Sequence, residues 1–131
     1  MTKSVPGAMV WVVPDCFLPS QSTGDMPSHE SSCVLNLGTR VAKLKLTAYF
    51  EDRAPLTGLQ AECAPQRTVH VRLNPLKNER GASIPTGVPF ALKVESNVNV
   101  VVQHTRLDTT QPALGPSWTS LVGDAPSALR G

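Results

Sequence analysis

An all-β fold, a single-domain antiparallel β-sandwich of jelly-roll kind with about seven to eight strands, is predicted by three observations. First, 12 prolines and 9 glycines punctuate a chain of 131 residues, a density that long helices do not tolerate. Second, several short runs alternate apolar and polar side chains with the period of two that a half-buried strand requires. Third, turn-forming residues fall between these runs. A chain of this length can bury about two-thirds of its unfolded surface, enough for one core without disulfides or metal.

Taken in order, short strands are predicted from Met9 to Val13 and from Ser32 to Leu37. The clearest alternation runs from Lys43 to Phe50, with Leu44, Leu46, Ala48 and Phe50 on the core face and Lys43, Lys45 and Tyr49 in water. A short strand from Gly58 to Cys63 follows. From Thr68 to Leu73, Val69, Val71 and Leu73 oppose His70 and Arg72. A further strand runs from Phe90 to Glu95. The segment from Ser96 to Asn99 then breaks the chain as a tight hairpin. The last strand, Val98 to Leu107, is apolar on both parities at Val100, Val101 and Val102. That pattern marks a central strand covered on both sides, turning polar at Gln103 and His104. Pro14 to Pro27 and Asn74 to Pro89 read as irregular. The folded domain is placed at 1–110, and 111–131 forms a Pro-, Ser-, Gly- and Ala-rich tail, partly flexible, with Trp118 and Leu121 able to tie it back.

Composition excludes several function classes. The net charge is +2 and only 17% of residues are charged. The basic residues are scattered, whereas nucleic-acid binding needs a stripe that neutralises successive phosphates. No apolar run approaches the length needed to span a bilayer, and the apolar stretch from Ala8 to Val13 is too short for the core of a secretory signal. Cys16, Cys33 and Cys63 lack metal-ligand spacing and read as small core residues in a reducing cytoplasm.

The chemistry-bearing residues gather around three histidines: His29 beside Glu30, His70 beside Arg72, and His104 beside Arg106. Neutral imidazoles with arginines and a carboxylate suit an anionic or polyhydroxylated ligand, bound through charge-assisted hydrogen bonds. Parity places His70 with Arg72, and His104 with Arg106 and Asp108. If the two strands lie close, one patch unites both pairs; an Arg106–Asp108 pair on one strand face is the local alternative. The histidines are too far apart in sequence to show metal-ligand spacing, so no metal or other cofactor is expected. Ser28, His29 and Glu30 are adjacent and cannot form a relay among themselves, and no nucleophile elbow, phosphate loop or H-E-x-x-H is present. No catalytic residue is assigned.

Ser28-His29-Glu30 followed by Cys33-Val34-Leu35-Asn36, then Arg67-Thr68-Val69-His70-Val71-Arg72, then Ser96-Asn97-Val98 and Gln103-His104-Thr105-Arg106-Leu107-Asp108, resembles the sensory rhodopsin transducer family. The resemblance runs from about Trp11 to about Gln111, and the run from Gln103 to Asp108 is its most specific part. It implies a cytoplasmic antiparallel β-sandwich that assembles as a homotetramer. It also implies a non-enzymatic signal transducer or small-molecule-binding module, with a sugar or sugar acid as ligand and a sensory rhodopsin or other receptor as a further partner. Carried onto this chain, the ligand site comprises His29, Glu30, His70, Arg72, His104 and Arg106. The sequence after Thr109 departs from the family's helix-prone ending. The alternative is a metal-dependent or acid–base enzyme of sugar metabolism using the same cluster.

Overall fold

The computed structural model describes residues 5–20, 29–108 and 117–122, with the backbone alone described at 29, 107–108 and 117–122. Seven strands follow in chain order: β1 (Ala8–Phe17), β2 (His29–Asn36), β3 (Ala42–Phe50), β4 (Leu56–Cys63), β5 (Arg67–Arg72), β6 (Pro89–Asp108) and β7 (Ser117–Val122). All pairings are antiparallel. No helix among the described residues is long and apolar enough to cross a membrane.

The 20-residue β6 organises the molecule. Its first half lies between β1 and β3, since Val94 pairs with both Trp11 and Leu46, and β4 extends that sheet beyond β3. Its second half lies between β2 and β7, since Thr105 pairs with both Ser31 and Ser120, and β5 extends that sheet beyond β2. A single strand therefore belongs to two sheets that curl around one core. Every even-numbered residue of β6 from Phe90 to Val94, then Ser96, Val100, Val102 and His104, is buried. Against this row pack Trp11 and Val13 of β1, Leu44, Leu46 and Ala48 of β3, Leu59 of β4, Val34 of β2 and Val71 of β5. The alternation predicted for the segments 43–50 and 68–73 holds, with Lys43, Lys45, His70 and Arg72 exposed.

One predicted turn is corrected. The polar run Ser96-Asn97-Val98-Asn99 does not make a hairpin; it is continuous strand inside β6. Its polar side chains serve the point where β6 passes from one sheet to the other. The Asn97 Oδ1 accepts from the Lys43 backbone N–H at 2.7 Å, the Asn99 amide donates to the Val5 carbonyl at 2.8 Å, and the Ser96 hydroxyl accepts from the Val98 N–H at 3.2 Å. Side chains that hydrogen-bond to nearby backbone resemble turn formers in sequence. Here Asn97 and Asn99 satisfy backbone groups that arrive from distant parts of the chain. Strand β1 reaches further than predicted, through Pro14 to Phe17, and β7, which was not predicted as a strand, lies inside the segment 111–131 and pairs with β6. Trp118 and Leu121 lie in β7, and their side chains fall outside the description.

Pro14 is accommodated by a β-bulge. The register moves from Val13 opposite Leu92 to Cys16 opposite Phe90, so three residues of β1 span two of β6. A bulge reverses which parity faces inward. Val13 and Cys16 are consequently both buried although three residues apart. At the other end of β1, Gly7 has φ of 110° and an added Cβ would sit 2.1 Å from the Val100 carbonyl oxygen. Gly7→Ala is expected to cost at least about 1–3 kcal/mol from backbone strain alone. Urea titration followed by Trp fluorescence measures it; a midpoint equal to that of the unsubstituted protein refutes it.

Candidate functional site

The bulge in β1, the start of β2 and the far part of β6 converge on one carboxylate. Glu30 is fully buried, and its backbone is held by two contacts with the segment after β5: its N–H donates to Asn74 Oδ1 at 3.1 Å and its carbonyl accepts from the Leu73 N–H at 2.9 Å. Its Oε1 accepts from the Phe17 N–H at 2.8 Å and from Arg106 Nε at 2.6 Å. Its Oε2 faces His104 Nε2 at 3.0 Å. His104 is also fully buried, and its Nδ1 lies 3.1 Å from the Ser32 hydroxyl. A Ser32 hydroxyl that donates to Nδ1 leaves the Nε2 proton for Glu30. No buried side-chain nitrogen or oxygen among the described residues lacks a partner.

Arg106 carries this network to the surface. Its side chain is 19% exposed, and its outer nitrogen reaches the Asp15 carbonyl at 3.4 Å and the Asp15 carboxylate at 3.7 Å, a carboxylate side chain that is itself 82% exposed. Burial works to lower the guanidinium pKa, but the hydrogen bond and charge of Glu30 outweigh it, so the net shift is upward and the group stays charged. Cys16 completes the cluster. Its Sγ, a Glu30 carboxylate oxygen and a His104 ring nitrogen all lie within 4.8 Å of one another. Desolvation, reinforced by the Glu30 charge, pushes the Cys16 thiol far above its ordinary value, so it rests as a thiol donating weakly to the Val13 carbonyl at 3.6 Å.

The six predicted site residues do not form one patch. Glu30, His104 and Arg106 meet as described. His70 and Arg72 are exposed on the opposite face of the sheet, because β5 pairs with β2 in a register that sets Val71 beside Ser32 and His70 beside Cys33. Neighbouring residues across strands share a face, so His70 lies with Cys33 and Gln103 while Ser32 lies with His104. His29 pairs through its backbone with Leu107, and its side chain lies outside the description. The Asp108 side chain does as well; the acids found against Arg106 are Glu30, from β2, and Asp15, from β1. Sequence reasoning missed Cys16, Ser32 and Asp15 as members. Ser32 was readable from its even-numbered spacing to Glu30. Cys16 and Asp15 depend on the bulge and had no local signal.

A concavity of about 690 Å³ on the outer face of β3, β4 and β6 is lined by Lys43, Lys45, Gln60, Glu62, Glu95 and Asn97 and contains none of the predicted site residues. A smaller one of about 270 Å³ is lined by Asp15, Tyr49, Phe50, Glu51 and Phe90. It shares Asp15 with the surface end of the network.

A family model described as Anabaena sensory rhodopsin transducer matches residues 6–119. The chain belongs to the Anabaena sensory rhodopsin transducer family. The match to this transducer family passes residue 110 and ends inside β7. Among solved structures, that of the Anabaena sensory rhodopsin transducer itself is 37% identical, with a TM-score of 0.71 over 85% of this chain and 96% of the other. The crystal structure of Thermotoga maritima 1070 is 33% identical, with a TM-score of 0.80 over 93% of this chain and 97% of the other. Comparison with curated proteins returns no match. The antiparallel all-β architecture read from the sequence is thus the architecture shared with members of the transducer family.

Proposed function

We propose that this chain is a non-enzymatic signal-relay module that reads a small polar ligand at the surface end of the Glu30–His104–Arg106 network. The observation that carries the proposal is Arg106. Its Nε is bound to a buried carboxylate, while its outer nitrogen meets an exposed one. A ligand carboxylate or polyol can take the place of Asp15 on the outer edge of the guanidinium, where planar, paired donors recognise such groups. The 270 Å³ concavity beside Asp15 offers aromatic walls at Tyr49, Phe50 and Phe90, of a kind that suits the apolar face of a sugar ring. Because Arg106 is tied through Glu30 to the β1 backbone at Phe17, displacement of Asp15 is felt where β1, β2 and β6 meet. That is a route by which binding changes a surface offered to a partner. Family membership supports a receptor of the sensory-rhodopsin kind as that partner, and the proposal includes a cytoplasmic homo-oligomer, a tetramer. An enzyme of sugar metabolism is the weaker reading, since Glu30 and His104 are enclosed and their polar atoms are engaged with one another and with neighbouring strands.

Isothermal titration against a panel of sugars and sugar acids tests the proposal. A panel member should bind, and Arg106→Ala should weaken that binding about tenfold or more, the worth of a charge-assisted hydrogen bond. Asp15→Asn should tighten binding of the acids by removing the competing carboxylate. No binding across the panel, or binding indifferent to Arg106→Ala, refutes the site.

A further inference from the structure

Beyond ligand reading at Arg106, we infer that Cys16, Glu30 and His104 form a site for a divalent transition metal, zinc in the first instance. The three donors are a thiol, a carboxylate and an imidazole, which is a set that zinc favours and that magnesium and calcium do not. They come from three strands, β1, β2 and β6, and their ligand atoms lie within 4.8 Å of one another in a fully buried position. The 3.0 Å separation between Glu30 Oε2 and His104 Nε2 is close to the spacing of two ligands on one zinc ion. The groups behind the donors are also those a metal site needs. Arg106 and the Phe17 N–H occupy Oε1 and leave Oε2 as the coordinating oxygen. The Ser32 hydroxyl stands behind His104 Nδ1.

The protons balance without a further reactant. Zinc replaces the proton on Cys16 Sγ, which leaves to solvent, and the thiolate takes its place in the coordination sphere. The imidazole proton moves from Nε2 to Nδ1, where the Ser32 hydroxyl turns from donor to acceptor, and Nε2 binds the metal through its lone pair. The Cys16 thiolate and the Glu30 carboxylate balance the two charges of zinc. Arg106 then retains Asp15 as its own counter-ion at 3.7 Å. The bulge at Pro14–Asp15 is what aims Cys16 into the site.

Cobalt titration of the full chain tests this, because a Cys-ligated cobalt ion gives a thiolate-to-metal charge-transfer band in the near ultraviolet. The band should saturate at an equimolar ratio, disappear in Cys16→Ser, fall by tenfold or more in affinity in His104→Gln and persist in Cys33→Ser. Zinc should raise the Tm of the unsubstituted protein and abolish the cobalt band by competition. Absence of the band at excess cobalt in folded unsubstituted protein overturns the inference, as does an unchanged band in Cys16→Ser. If the serine variant does not fold, Cys16→Ala keeps an apolar group in that space and decides the same question. Loss of sugar binding in Arg106→Ala with the cobalt band intact leaves the two sites distinct.

Discussion

Glu30→Ala is expected to destabilise the protein by about 3–5 kcal/mol, the usual cost of breaking a buried ion pair by removing one partner. Three donors converge on this carboxylate: the Phe17 N–H, Arg106 and His104. Each loses its acceptor at once, and alanine brings no polar atom to replace it. The Glu30 and His104 side chains are wholly enclosed and Arg106 is only 19% exposed, so solvent screening relieves little of the loss. Arg106→Met should cost a similar amount, since it leaves the fully enclosed Glu30 carboxylate without its cation. Urea unfolding followed by circular dichroism gives both values. A cost below about 1 kcal/mol for Glu30→Ala would mean that the network does not hold the strands together.

Trp11→Ala is expected to cost a similar amount, about 3–5 kcal/mol. Trp11 is buried in β1 opposite Val94. Its indole N–H lies 2.8 Å from the Val100 carbonyl and 3.1 Å from that of Ala8. It therefore reaches past the point where β6 leaves the first sheet and ties β1 to both halves of that strand. Removing the ring opens a cavity on the core and unties that bond together. Trp11→Phe separates the two losses, because it keeps most of the ring volume and forfeits only the N–H. Thermal or urea unfolding should rank the three proteins with Trp11→Phe between the others. Equal stability of Trp11→Phe and Trp11→Ala would contradict the packing contribution.

Much of the fold was legible because alternation is a local property. Leu44, Leu46 and Ala48 had to face inward together whatever their partners, and the same holds for Val69 and Val71. The reading failed at Ser96 to Asn99 for an equally physical reason. Hydrogen-bonding side chains that satisfy distant backbone have the composition of those that make a turn, and only the segments that bring Lys43 and Val5 alongside distinguish the cases. In the candidate site, Glu30, His104 and Arg106 were identified as residue types that carry chemistry, and they do meet. His104 was read as the polar end of a strand, yet its even-numbered place after Val100 and Val102 already put it on the core face.

The proline- and glycine-punctuated sequence by itself determined an all-β chain, the inward row of each strand and the residues able to do chemistry. These follow from the two-residue period of a strand and from backbone preference, which need no distant partner. Tertiary structure alone decided that one strand serves two sheets, that His70 and Arg72 look away from His104, and that Cys16 and Asp15 join Glu30. Those outcomes rest on register and on one bulge, and both are set by pairing between segments far apart in the chain.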